Sequence, residues 1–405
     1  MNNMKIILLH YTAPPIIGGV ETVLASQARQ LVRAGHKVTI LAGRGRPWDA
    51  RIGVETVSLF DLRHPLVLRA KTSLDAGEVP EDFAELVRQV EGELYRAVEG
   101  AQVIIAHNIA SQNKPLALTA ALHHLSQDED QPRVVLWHHD LPSTPDGEQA
   151  GLYDGWPWEL LHTDWPGAKH VTVSDARRQE LAALFGLPLR QVALVPPGID
   201  LTDFLDLPPH LARLVGDLQL SLAAPILLCP VRLTRRKNLE QALEILAELR
   251  KRLPAAVLLI TGQPGSQGKV YLEQLRKLRA QLELDQAAIF LAERFPEGVN
   301  EKALSAFYRL ADAVLITSRE EGFGMPLLEA GLAGVPIFCT ALEPLRALAG
   351  ENAVYFSPDD PAKEIAGLIA GRLQSDPLYR MRVRIRHDFS WDAIYQKKLA
   401  PLLEP

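Results

Sequence analysis

The sequence predicts an α/β protein built from two Rossmann-like domains. Three observations carry that expectation. The chain has 405 residues, beyond the roughly 250–300 at which a single core usually divides. Short β-rich apolar runs alternate with stretches of helical apolar spacing, the pattern of parallel strands with crossover helices. Each half also contains one well-marked strand–loop–helix–strand unit, over residues 5–41 and 313–339.

The first unit opens with a strand over Lys5 to His10 and a loop to Gly19 that carries Pro14, Pro15, Gly18 and Gly19. Val20, Val23, Leu24, Ala28, Leu31 and Val32 follow at helical spacing, predicting a helix to Ala34. Gly35 ends it, and Lys37 to Leu41 is the next strand. A Gly-Gly turn before a helix invites comparison with a dinucleotide site. The turn is not G-x-G-x-x-G, and the second strand ends in Gly43-Arg44 with no acid for a ribose hydroxyl. That arginine would still suit the 2′-phosphate of NADP. Residues 44–75 give no regular pattern. A helix is expected over 78–97, and strands over 103–106 and 134–137. The polar ends of those strands, His107-Asn108 and His138-His139-Asp140, face the same sheet edge. Tyr153, Trp156, Trp158 and Trp165 lie close together downstream, and their rings suit either packing or stacking on sugar. A strand at 170–173, a helix at 175–185 and a strand at 192–195 complete this half.

A linker with helical patches, 201–220, leads to a strand at 225–230. Four cations then fall within six residues, Arg232, Arg235, Arg236 and Lys237, in a protein of net charge −6. They stand between a strand and a helix N-terminus, where a diphosphate binds. Asn238 and Gln241 read as a capping box for that helix. Strands at 257–261 and 288–292 alternate with helices at 271–282 and 302–310. The second marked unit follows: a strand at 313–317, a glycine-punctuated turn, Pro326 at a helix start, Gly334 as its stop, and a strand at 335–339. Glu321 in the turn and Glu329 on the helix bracket the N–H groups of Phe323, Gly324 and Met325. An anion on those N–H groups and hydroxyls on the carboxylates together describe a sugar phosphate or nucleotide sugar.

Composition excludes several classes. The acidic balance argues against a nucleic-acid surface. Cys229 and Cys339 sit in apolar strands, as buried hydrophobes of a reducing compartment, and neither has metal-ligand spacing. No run approaches ~20 apolar residues, and the apolar run of MNNMKIILLHY is too short for a signal peptide. A cytoplasmic location is expected, with any membrane contact peripheral. Asp128-Glu129-Asp130 matches a metal-holding Asp-x-Asp only formally and reads as a solvated polar turn.

SREEGFGMPLLEAGLAGVPI, residues 318–337, closely resembles the signature of family 4 retaining glycosyltransferases, which have the GT-B fold. Arg232-x4-Lys237 resembles that family's diphosphate-binding pair. HHDLP (138–142) resembles its strand-then-His-Asp pattern. VPPGID (195–200) resembles its Val-Pro-Asn-Gly-Val-Asp link, with Pro197 in place of the asparagine. The resemblance implies two Rossmann-like domains facing across a deep cleft, 1–200 for the acceptor and 201–385 for the donor. A last helix, 386–405, would return to the first. It implies Gly18 and Gly19 against the donor diphosphate, and Arg232, Lys237 and the 323–325 N–H groups on its charge. Glu321 would hold donor-sugar hydroxyls and Glu329 the ribose. His139, or failing it His138, would lie near the donor sugar, with Asp140 orienting the imidazole or binding acceptor. Trp156 and Trp158 are the acceptor-side aromatics. The loop at Glu293-Arg294-Phe295, which would approach the base, departs from the family pattern.

The expected activity is transfer of a hexose, glucose or mannose, from a nucleotide-diphosphate sugar to a hydroxyl acceptor. No metal or other cofactor is called for, and the enzyme would be a monomer or homodimer. No nucleophile stands out for the far face of the donor, so front-face attack is preferred. A sugar-nucleotide epimerase of the same fold, a non-catalytic scaffold and an NADP oxidoreductase are the rival readings.

Overall fold

The computed structural model describes residues 3–142, 153–264 and 268–404. They form two compact units: residues 3–199 together with 391–404, and residues 200–390. The first unit runs β1 (Lys5–Thr12), α1 (Gly19–Arg33), β2 (Lys37–Arg44), β3 (Gly53–Thr56), α2 (Pro65–Asp75), α3 (Phe83–Ala97), β4 (Val103–His107), α4 (Leu116–Ser126), β5 (Arg133–His138), β6 (Ala168–Thr172), α5 (Asp175–Phe185) and β7 (Val192–Leu194). Its seven strands are parallel, in the order β3-β2-β1-β4-β5-β6-β7. Burial alternates along β1. Ile7 and Leu9 enter the core under α3 and α4, while Ile6 and Leu8 enter the core under α1. This is the period-2 consequence of a pleated strand covered on both faces.

The second unit runs α6 (Leu201–Phe204), α7 (Pro209–Asp217), β8 (Ile226–Cys229), α8 (Leu239–Arg250), β9 (Val257–Ile260), α9 (Gly268–Gln281), β10 (Ala288–Phe290), α10 (Glu301–Leu310), β11 (Ala313–Ile316), α11 (Met325–Leu332), β12 (Ile337–Thr340), α12 (Glu343–Ala349), β13 (Val354–Phe356), α13 (Ala362–Ser375) and α14 (Pro377–Arg384). Its six parallel strands are ordered β10-β9-β8-β11-β12-β13. The chain then returns. Helices α15 (Trp391–Ile394) and α16 (Ala400–Leu403), with the π-helical turn Tyr395–Leu399 between them, put Trp391, Ile394, Tyr395, Leu399 and Leu403 into the first unit's core beside Leu24 and Leu31 of α1. Trp391 N–H donates to Ile199 O at 3.2 Å, and the Tyr395 hydroxyl lies 3.0 Å from His36 Nε2.

Three local expectations need correction. Residues 44–75 are not irregular: they hold β3 and α2. Pro65 supplies a pre-set first turn, and Val67, Ala70 and Leu74 bury one helical stripe. The helix expected from 78 starts only at Phe83. Pro80 biases Val79 away from helical geometry, and the Phe83 N–H bonds to Pro80 O at 3.0 Å. The capping box at Asn238 does not form. Asn238 closes the preceding turn in the left-handed region, with φ 50°, so its side chain reaches Gln241 Oε1 at 2.9 Å and not a helix N–H. The first N–H of α8, from Leu239, donates instead to the Tyr271 hydroxyl at 3.1 Å.

Both sheets reverse strand order once, between β1 and β4 and between β8 and β11. In open α/β sheets the crevice beyond the carboxyl ends at such a reversal is where ligands bind. The opposite end of the β8–β11 pair is closed by a buried carboxylate. Asp312 accepts the Ile226 N–H at 2.8 Å and two bonds from Arg386, at 2.8 and 2.6 Å. Arg386 also donates to Ala223 O at 3.1 Å. Asp312 and Arg386 are each 3% exposed, so their charges depend on one another. Asp312→Ala should cost about 3–5 kcal/mol by stranding the guanidinium. Asp312→Asn, which keeps an acceptor for Ile226, should cost less. Urea midpoints followed by circular dichroism check both.

Candidate active site

In the second unit, the segments leaving β8 and β11 meet beyond the carboxyl edge. Arg319 N–H donates to Arg236 O at 2.8 Å, the Thr317 hydroxyl to Lys237 O at 3.0 Å, and the Thr340 hydroxyl to Ser318 O at 2.7 Å. This lacing brings Lys237 Nζ against Glu321 Oε1, with each side chain 8% exposed. Ser318 Oγ donates to the same oxygen at 2.8 Å. Two residues expected to face a ligand separately therefore hold each other in place. An ammonium has three donors, so Lys237 keeps capacity beyond Glu321. Arg232 is exposed, and among the described residues no carboxylate pairs with it. Its loop is moulded by Gly262, where a Cβ would fall 1.9 Å from Val231 O.

Gly324 precedes α11 with φ 103°, and a Cβ there would meet Leu345 Cδ2 at 2.6 Å. Only glycine suits that backbone and that approach. Phe323 and Met325 are 55% and 53% exposed, so the helix N-terminus between them is open to a ligand. Glu329, one turn into α11, accepts a bond from the Tyr308 hydroxyl at 2.5 Å. Glu293, in the loop expected to approach a base, is held by Arg276 at 2.7 Å and Arg279 at 2.9 Å. Cys229 lies beneath this site, and burial pushes its thiol up to about 12, leaving it inert.

The first unit gathers a second polar set at its own strand reversal. A cavity of about 330 Å³ is lined by Thr12, Gly19, Glu21, Arg44, Lys114 and Asp140, among others. Gly18 is extended and Gly19 opens α1; a Cβ on Gly19 would meet nothing, and one on Gly18 only the flexible Glu21 carboxylate. Thr12 donates to Glu21, and Arg44 pairs with Asp61 at 2.8 Å. Asp140 accepts from Asn108 at 3.0 Å and Gln112 at 3.1 Å, while Asn108 Oδ1 accepts the N–H groups of His139 and Asp140. Asn108, with φ 57°, is thus the residue that shapes the His139-Asp140 turn. Its place at a polar strand end was the only signal in the sequence.

The two histidines separate clearly. His138 is 1% exposed and committed on both sides, to Ser111 Oγ at 2.5 Å and to His170 Nδ1 at 3.0 Å, with His170 in turn on Asp164. His139 is only partly buried. Its Nε2 lies 2.9 Å from His107 Nδ1. Burial, followed by the nearby His10, lowers His139 to about 4. Of the aromatics, Trp158 is 3% exposed in the core and is not available to stack on a sugar. Trp156 is 37% exposed, with Phe83 against its ring at 5.1 Å. Part of the segment expected to meet an acceptor, residues 143–152, lies outside the described residues. Asp128 accepts the Asp130 N–H at 3.0 Å in an exposed turn. Among the described residues no three His, Cys, Asp or Glu side chains are grouped to hold a metal. No helix among them is long and apolar enough to cross a membrane.

Residues 17–203 match the model described as Glycosyltransferase Family 4, and residues 216–386 that described as Glycosyl transferases group 1. The chain belongs to the family 4 glycosyltransferases. Its two α/β units are those of the GT-B class. Among related proteins, glycogen synthase of Mycobacterium tuberculosis is 25% identical over 96% of this chain and 92% of its own length. A GDP-mannose-dependent alpha-(1-6)-phosphatidylinositol monomannoside mannosyltransferase of Mycolicibacterium smegmatis is 25% identical over 80% of this chain and 77% of its own. D-inositol 3-phosphate glycosyltransferase of Kineococcus radiotolerans is 29% identical over 56% and 55%.

Two outcomes are expected of this glycosyltransferase. Lys237→Met strands the Glu321 carboxylate and should cost roughly 3–5 kcal/mol. The double variant Lys237→Met/Glu321→Leu should recover most of that loss, and a thermal double-mutant cycle reads the difference. Acid should also weaken the fold through His139. Its folded value lies below the ordinary 6.5, so the unfolded chain takes up the proton first. The stabilisation is complete above pH 6.5 and is lost as pH falls through about 4. Melting temperature measured across that window should fall, and less steeply in His139→Gln.

Proposed function

We propose that this glycosyltransferase moves a hexose, glucose or mannose, from a nucleotide-diphosphate sugar to a hydroxyl acceptor, with retention at the anomeric carbon and without a metal. The observation that carries the reading is the Lys237–Glu321–Ser318 cluster, with Arg232 and the α11 N-terminus beside it. It sets cations and N–H donors next to a fixed carboxylate. A diphosphate attached to a sugar needs that combination, because charge develops on the phosphate while the sugar presents hydroxyls.

In the proposed reaction the bond from the anomeric carbon to the diphosphate oxygen breaks. The bond to the acceptor oxygen forms on the same face. The acceptor's proton passes to the departing phosphate oxygen. Arg232, Lys237 and the N–H groups of Phe323, Gly324 and Met325 stabilise the leaving charge, each good donor being worth ~3–4 kcal/mol of barrier. Arg232 grips phosphate with two bonds, and Lys237 acts as a compact charge. Glu321, held by Lys237 and Ser318, accepts from donor-sugar hydroxyls, and Glu329 from the ribose. His139, neutral at physiological pH, offers a hydrogen bond and not a charge to the donor sugar. Asp140 and the polar cavity around it receive the acceptor. The GDP-mannose-dependent mannosyltransferase of M. smegmatis supports mannose as one candidate, and the glycogen synthase supports glucose.

Thermal stability against UDP-, GDP- and ADP-sugars, with and without EDTA, tests the donor. A ligand at 100 times its Kd adds ~2.7 kcal/mol, roughly 5–10 °C for units of this size. One nucleotide series should stabilise, equally with EDTA; stabilisation only with added metal, or only by NADP(H), would refute the reading. Arg232→Ala should reduce turnover by about 10²-fold or more at unchanged melting temperature. The anomeric configuration of the product, read by NMR, tests retention.

A further inference from the structure

Tyr308 stands in the last turn of α10 and is 3% exposed. A phenylalanine would fill the same apolar space between α10 and the sheet, so packing does not explain the hydroxyl. That hydroxyl donates to Glu329 Oε2 at 2.5 Å. Burial, then the Glu329 bond and charge, push the phenol far above its ordinary range, so it stays a donor throughout the physiological range. Glu329 sits in the second turn of α11, and side chains on a helix lean toward its N-terminus. The bond therefore anchors one oxygen of a carboxylate carried close to the open first turn of α11. Among the described residues Oε1 of Glu329 has no donor. A groove of about 470 Å³ between α10 and α11 is lined by both residues.

We propose that Tyr308 is a positioning residue for the donor nucleoside: its phenol fixes Oε2 of Glu329 so that Oε1 meets a ribose hydroxyl. The inference rests on the proposed reading of Glu329 as the ribose acceptor. A free glutamate samples several rotamers and loses that freedom on binding. The tyrosine removes the cost in advance, so its contribution appears in nucleotide affinity and not in the chemical step. Glu329 alone would still bind, but less tightly.

The test is calorimetric titration of UDP, GDP and ADP, with the 2′-deoxy and 3′-deoxy forms of whichever binds, into wild type, Tyr308→Phe, Glu329→Gln and the double variant. Tyr308→Phe should weaken the ribonucleotide about 5- to 20-fold, raising donor KM with kcat nearly unchanged. The deoxynucleotide lacking the contacted hydroxyl should bind weakly to wild type and be insensitive to Tyr308→Phe. The Tyr308 effect should also vanish in the Glu329→Gln background. Equal losses for ribo- and deoxynucleotides, or no loss, would overturn the positioning role while leaving the donor reading intact. If the deoxy forms bind wild type as tightly as the ribonucleotide, the assignment of Glu329 falls even should Tyr308→Phe fail to fold. Absence of binding by any nucleoside diphosphate would overturn the proposed function itself.

Discussion

The β8–β11 strand pair is closed at each end by a buried ion pair, and the second unit is arranged around that fact. At the amino ends, Asp312 and Arg386 tie the start of β8, the start of β11 and the end of the α14 segment together. At the carboxyl ends, Lys237 and Glu321 join the loops that leave the same two strands. Buried ion pairs add little net stability, because desolvation offsets most of the attraction. What they supply is definition: a shifted loop would leave a charge without its partner. The pair at the carboxyl ends fixes the loops proposed to meet a diphosphate and a sugar, and the pair at the amino ends fixes the strands that carry those loops.

The first unit handles its own strand reversal differently. It sets buried histidines and amides beside the charged Glu21, Arg44, Lys114 and Asp140, where the second rests on a buried ion pair. Asn108 organises the His139-Asp140 turn through three hydrogen bonds, and burial is the chief cause lowering His10, His107 and His139 from the ordinary histidine range. The contrast follows the chemistry proposed for the two halves. A diphosphate demands cations, whereas an acceptor hydroxyl is met by hydrogen-bonding groups of either sign.

The sequence made the α/β class legible because buried parallel strands such as Ile226–Cys229 and Ala313–Ile316 are short and wholly apolar, the first bounded by Pro225 and Pro230 and the second by Asp312 and Thr317. The glycosyltransferase signature was legible because residues 318–337 resemble the family's own, with a turn, a helix start and two carboxylates at the family's spacing. What was not legible depended on contacts distant in the chain. Asn238 looked like a cap, but the turn before it set its backbone first. Lys237 and Glu321 are 84 residues apart, and nothing local tells that they meet. Trp158 and Trp156 are two residues apart with opposite fates, one in the core and one at the surface. Nothing in the sequence marks Tyr308 within its helix, since a phenol and a phenyl ring pack alike. The helix α2 was recoverable from Pro65 and the spacing of Val67, Ala70 and Leu74, a stripe too short to stand out against its polar neighbours.

The return of residues 391–404 to the first unit means that the second unit is, in covalent terms, an insertion within the first. The core above α1 lacks Trp391, Ile394, Tyr395, Leu399 and Leu403 until residues 391–403 have been made. During synthesis the second unit can therefore finish first, although it is encoded later than most of its neighbour. The first must wait with an apolar helix face uncovered. A ribosome that pauses before residue 391 would hold one completed half and one open one.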